Sequence, residues 1–189
     1  NSIYLDSLGQ LWVGTASGLD RFARQDETFE HFLADPNLSG SAGEISINAI
    51  TEDRSGNLWF GTGDQGLMQL KRSDGAFVSH KNDPGRPNSL ISNQISALTP
   101  DPSGGIWVGT TAGLDFYDPV SAEFVHYRQD VNNSQGLSSL RISALFQDRS
   151  GILWVGTEDD GLYRLNPSTG LFNHYQPSST DPYSISSHN

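Results

Sequence analysis

Apolar and polar positions alternate in short runs separated by turns rich in glycine and aspartate, and no stretch carries the long 3.6-residue stripe of an amphipathic helix. The run LWFGT at residues 58–62 is representative. Period-two alternation sends Trp59 and Gly61 to one side of a strand and Leu58, Phe60 and Thr62 to the other. Both sides call for burial, as in a sheet sandwiched between two neighbours, with the indole expected to fill the space that glycine leaves at the packing surface. Four strands are predicted around it: SINAITED at 46–53, LWFGT at 58–62, GLMQLK at 66–71 and AFVSHK at 76–81.

This unit is not written once. The phrase DRSGNLWFGT at 53–62 returns as DRSGILWVGT at 148–157, with weaker copies DSLGQLWVGT at 6–15 and DPSGGIWVGT at 101–110. Trp12, Trp59, Trp107 and Trp154 are spaced by 47, 48 and 47 residues. Gly14, Gly61, Gly109 and Gly156 keep that step, and Phe29, Phe77, Phe124 and Phe172 recur at 48, 47 and 48 residues. A period of roughly 40 to 50 residues made of short strands marks a blade-type repeat. The chain is therefore read as all-β: four antiparallel four-stranded blades in one segment spanning 1–189, divided at about 1–46, 47–93, 94–141 and 142–189. Within D-x-x-G, the aspartate should accept backbone N–H groups and the glycine take positive φ, so Asp53 and Gly56 are hairpin parts rather than a calcium loop. The four tryptophans are expected in equivalent positions between blades.

Composition narrows the function. A formal charge of −11 with only 11 Lys and Arg argues against nucleic acid. The absence of cysteine excludes disulfides and thiolate metal sites. No apolar run approaches the roughly 20 residues of a membrane helix. The sequence starts at Asn1, its only methionine is Met68, and it reads as a segment of a longer protein. His31, His126 and His174 share one position in the fourth strand, with His80 one place later. In a radial array those outer strands stand apart, so no metal site is expected.

The pattern D-x-x-G-x-[LI]-W-[VF]-G-T, followed by G-L, F-x-H-[FY] and a loop such as NDPGRPNSL at 82–90, resembles the two-component regulator propeller repeat. The resemblance implies a β-propeller outside the cytoplasmic membrane of a bacterium, in the periplasm. It also implies a sensory role, coupled through a membrane segment elsewhere in the parent protein to a histidine kinase or a diguanylate cyclase. Propellers of that family usually have more than four blades. Two arrangements follow: a closed four-bladed ring, or two chains pairing head to tail as a homodimer with eight blades. Links TASGL and TTAGL in units one and three, against TGDQGL and TEDDGL in units two and four, favour the second.

Positions shared by all units hold the architecture, so specificity belongs where they differ. The loops between strands two and three, and between blades, share one face around the central channel. Candidate ligand-binding residues there are Asp64, Gln65, Gln94, Arg141, Glu158, Asp159 and Asp160, suited to a carbohydrate or another polar solute. No catalytic group and no cofactor is expected. Two other functions remain open: a structural or protein-binding propeller without small ligand, and a glycosidase-like enzyme using Asp64 and Glu158 as its carboxylate pair.

Overall fold

The computed structural model describes residues 1–32, 45–128, 136–139 and 141–186. Sixteen strands fall into four four-stranded sheets, each a meander of antiparallel neighbours. The first blade holds β1 (Ser2–Leu5), β2 (Leu11–Gly14), β3 (Leu19–Ala23) and β4 (Thr28–Phe32). The second holds β5 (Ile47–Glu52), β6 (Leu58–Thr62), β7 (Leu67–Leu70) and β8 (Phe77–His80). In the third are β9 (Ile95–Pro100), β10 (Ile106–Thr110), β11 (Gly113–Asp118) and β12 (Glu123–Tyr127). The last has β13 (Ile142–Gln147), β14 (Leu153–Thr157), β15 (Leu162–Asn166) and β16 (Leu171–Tyr175). The four strands predicted for the second unit are all present.

The recurrent phrase builds a hairpin and ties it to its own indole. Asp53 Oδ1 accepts the backbone N–H of Ser55 and of Asn57, both at 2.9 Å, and Gly56 takes φ +80°. The second oxygen has a task that the sequence pattern does not reveal: it accepts the Trp59 indole N–H at 2.9 Å. The same bond joins Trp12 to Asp6, Trp107 to Asp101 and Trp154 to Asp148, at 3.0, 3.0 and 3.1 Å.

Between blades the packing is a repeated lock. Trp12 of the first blade lies against Ile47, Leu58 and Phe60 of the second. Trp59 meets Ile95, Ile106 and Val108 of the third, and Trp107 meets Ile142, Leu153 and Val155 of the last. The space beside Gly14, Gly61 and Gly109 is not filled by the indole, as alternation had suggested, but by an isoleucine of the next blade's first strand. A Cβ on Gly14, Gly61 or Gly109 would lie 2.7, 2.5 or 2.7 Å from Cγ2 of Ile47, Ile95 or Ile142. Side chains of the inner strands reinforce the joints: Asn48 Nδ2 donates to the Ile95 carbonyl at 2.9 Å, and Ser96 Oγ to that of Ile142.

The chain forms an open arc. Packing joins β1 and β2 to β5, β5 and β6 to β9, and β9 and β10 to β13, and no comparable contact joins the last blade to the first among the described residues. A closed four-bladed ring is not what these residues form. The expectation of four equivalent tryptophans is corrected with it: Trp12, Trp59 and Trp107 are buried, whereas Trp154, on the outer face of the last blade, is only half-buried.

Candidate functional site

The loops after the second strand of each blade are short because Thr and Gly close them. Thr62 Oγ1 donates to the Gly66 carbonyl at 2.8 Å and accepts the Gln65 N–H at 2.8 Å. Thr157 repeats this with the Gly161 carbonyl and the Asp160 N–H. Gly66 and Gly161 take φ +83° and +80°, and a Cβ there would strike the carbonyl oxygen of His80 or Tyr175. The loops are thus held by their own backbones, leaving the intervening side chains to vary.

Those side chains divide into two groups. Asp159 and Asp160 are engaged within the fold. Asp159 Oδ1 accepts from Ser139 Oγ at 2.8 Å, and Asp160 accepts from Ser138, from Tyr163 and, at 2.8 Å, from Gln176. Burial works against ionisation of Asp160, but the Ser138, Tyr163 and Gln176 hydrogen bonds outweigh it and lower its pKa. Burial, then the Asp160 carboxylate, pushes Tyr163 up to about 12. The His174 ring stacks on Tyr163 with centroids 4.0 Å apart, closing the cluster. Gln65 and Gln94 are tied to neighbours, Gln65 Oε1 accepting from Lys81 Nζ at 3.0 Å and Gln94 Oε1 from Thr111 Oγ1 at 2.9 Å.

The second group presents its polar ends to solvent. Arg141 and Glu158 form an ion pair at 2.8 Å with side chains 58% and 45% exposed, and the Glu158 N–H donates to the Arg141 carbonyl. Asp64 is exposed. Of the seven candidates, the structure brings Arg141 and Glu158 together; among the described residues Asp64 makes neither ion pair nor side-chain hydrogen bond with Glu158. The arrangement offers a guanidinium and a carboxylate side by side, donors and acceptors suited to hydroxyl groups.

No group of three or more His, Cys, Asp or Glu side chains able to hold a metal occurs among the described residues. His31 Nδ1 lies 2.6 Å from Asp20, and His126 Nδ1 lies 2.6 Å from Asp115, whose carboxyl is fully buried. Burial raises the Asp115 pKa despite the histidine. These pairs went unremarked in the sequence, yet a signal was there: G-L-D occurs in the first and third units only. A cavity of about 370 Å³, lined by His80, Lys81, Arg86, Asn88 and Glu123 among others, opens between the outer edges of the second and third blades and was not anticipated either.

A profile of the two-component regulator propeller family matches residues 41–64, 89–112 and 136–159, the start of the second, third and fourth blades. The second, third and fourth blades each contain a stretch similar to the two-component regulator propeller repeat. No curated protein is significantly similar to it in sequence. Among solved structures, the propeller superimposes on the extracellular domain of a hybrid two-component system from B. thetaiotaomicron with a TM-score of 0.77 at 24% identity, over 92% of this chain and 24% of that one. The extracellular domain of a one-component system from the same organism gives 0.70 at 22% identity, over 100% and 30%. Virginiamycin B lyase from Staphylococcus aureus gives 0.67 at 14% identity, over 94% and 55%. The chain spans under a third of the length of the two extracellular domains. At these identities the likeness establishes the shared propeller fold.

Proposed function

We propose that this chain is part of an extracytoplasmic, periplasmic sensory propeller of a bacterial signal-transduction receptor, and that it binds a polar solute such as an oligosaccharide without catalysing a reaction. The observation that carries the reading is the repeat itself, which matches the regulator propeller family in three of the four blades. The similar fold of two extracellular receptor domains accords with that location and role. Catalysis has less behind it: Glu158, one half of the carboxylate pair considered from sequence, is neutralised by Arg141. On this reading Arg141 and Glu158 supply the exposed polar contacts, with Asp64 and Gln94 as further ones. Docking favours one orientation of the parent protein's membrane-proximal parts, by as much as the ligand prefers that state.

Thermal unfolding in a panel of mono- and oligosaccharides tests the reading. A ligand specific to the native state at 100 times its Kd adds about 2.7 kcal/mol and raises Tm. The expected result is at least one such sugar, whose effect is lost in both Arg141→Ala and Glu158→Ala. A panel without effect, or a sugar indifferent to both substitutions, defeats the proposal and favours a structural or protein-binding propeller.

A further inference from the structure

The arm that carries the chain from β8 to the third blade, residues 82–90, has a second copy beyond β16, and the two differ in charge. In the first, the Asp83 N–H donates to Ser89 Oγ at 2.9 Å, and the Ser89 N–H to the Arg86 carbonyl at 2.9 Å. In the second, the Ser178 N–H donates to Ser184 Oγ at 2.9 Å, and the Ser184 N–H to the Asp181 carbonyl at 3.1 Å. The matching bonds align Arg86 with Asp181 and Pro87 with Pro182. In the strands that lead into the arms, His80 opposes Leu67 and Tyr175 opposes Leu162, so Lys81 corresponds to Gln176. The arm therefore folds without either cation, and positions where the units differ are the ones open to specificity.

The first arm is bonded along its length to the third blade. Leu90 is buried with Trp59 and Ile95, the Phe124 N–H donates to the Asn88 carbonyl at 3.0 Å, and His126 Nε2 lies 2.8 Å from the Pro87 carbonyl. Arm, β8 and β12 enclose the cavity of about 370 Å³, whose size falls within the range of about 300–1,000 Å³ common for small-molecule sites. A cleft formed in advance spares its ligand the entropy of ordering a loop.

The charged groups of the arm and cleft sort by whether the fold uses them. Glu123 accepts from Asn88 Nδ2 at 2.9 Å, and Asp83 accepts the Gly85 N–H at 2.9 Å. Lys81 Nζ gives one of its three donors to Gln65. Arg86 makes no side-chain hydrogen bond, and neither cation is ion-paired, among the described residues. In a chain of formal charge −11, two cations thus line one cleft with donors unused. Ammonium and guanidinium groups bond oxyanions about twice as strongly as neutral acceptors. Ser79 and Asn88, also in the lining, supply groups for hydroxyls.

We propose that this cleft binds the oxyanion group, carboxylate or phosphate, of a small polar solute through Lys81 and Arg86, at a site separate from the Arg141 and Glu158 loops.

Calorimetric titration with D-glucuronate, glucose 6-phosphate and glucose tests this, because the three present a hexose with a carboxylate, a phosphate or neither. One or both anions should bind, glucose about tenfold more weakly or not at all, and the tighter anion identifies the group. Arg86→Asp and Lys81→Gln install the residues of the second arm, which keeps the backbone bonds intact. Each should raise the Kd of that anion about tenfold or more, and added salt should raise it as well. Arg149→Ala removes one positive charge from an exposed turn of the last blade and should leave that Kd unchanged. Circular dichroism confirms that each variant is folded. The proposal is overturned if neither anion binds, if glucose binds as tightly as they do, or if Arg86→Asp or Lys81→Gln changes the Kd no more than Arg149→Ala.

Discussion

Trp59 and Trp154 sit in the same ten-residue phrase, on the same strand of their blades, each donating its indole N–H to the aspartate six residues earlier at 2.9 and 3.1 Å. One is 1% exposed beneath Ile95, Ile106 and Val108, while the other lies on an open face beside Phe146. Local sequence therefore builds the blade and presents the indole, but only a neighbouring blade buries it. The hydrophobic contribution to stability belongs to the joint rather than to the repeat.

That contrast can be broken most directly by truncating the indoles. Trp59→Ala should cost about 3–5 kcal/mol in urea denaturation, as large core deletions do. Trp154→Ala should cost less than about half as much, because little of its area is withdrawn from water by the chain itself. Equal losses would mean that the open face is as well packed as the joints.

Next in size is an acid sensitivity confined to one joint. The His80 ring stacks on Trp59 and meets Tyr117 and Phe124 edge-on, with a buried Nε2 that has no partner among the described residues. Burial, aided by the Lys71 charge, lowers its pKa from 6.5 to about 4. The folded state prefers the neutral ring, so the associated stability is full above pH 6.5 and lost as pH falls through 4, on the order of 2–3 kcal/mol. His80→Phe should flatten the Tm profile over that window. An unchanged profile would place the acid sensitivity elsewhere.

The smallest effect sharpens the account of the glycines. Gly61→Ala drives a methyl to 2.5 Å from Ile95 Cγ2 and should cost about 1–3 kcal/mol by overpacking. Gly156→Ala meets nothing nearer than 3.4 Å, and that variant should unfold within about 0.5 kcal/mol of wild type. A loss at Gly156 as large as at Gly61 would show that glycine serves the backbone of its own blade rather than the approach of the next.

Much of the blade was legible because its determinants are local. D-x-x-G marks the hairpin through an Asx turn and a positive φ, alternation marks the strand, and a 47-residue step marks the stack. The candidate site was less so. Asp64, Asp159, Glu158 and Asp160 look alike as loop acids, but Asp159 and Asp160 bond to Ser139 and Ser138, and Glu158 to Arg141, partners that only the approach of neighbouring strands and loops brings near. The alternation of blades extends further than the loops showed. Asp20 and Asp115 meet histidines in the first and third blades, where Met68 and Tyr163 stand in the others.

By itself the sequence determined the strands, their turns and the fourfold recurrence, since each depends on dihedral preference and side-chain period within a few residues. Tertiary structure decided which indole is buried, which isoleucine fills which glycine gap and which loop acid is left for solvent. Those outcomes depend on side chains some 47 residues apart meeting across a joint, and the last blade carries the same phrase with its joint unmade.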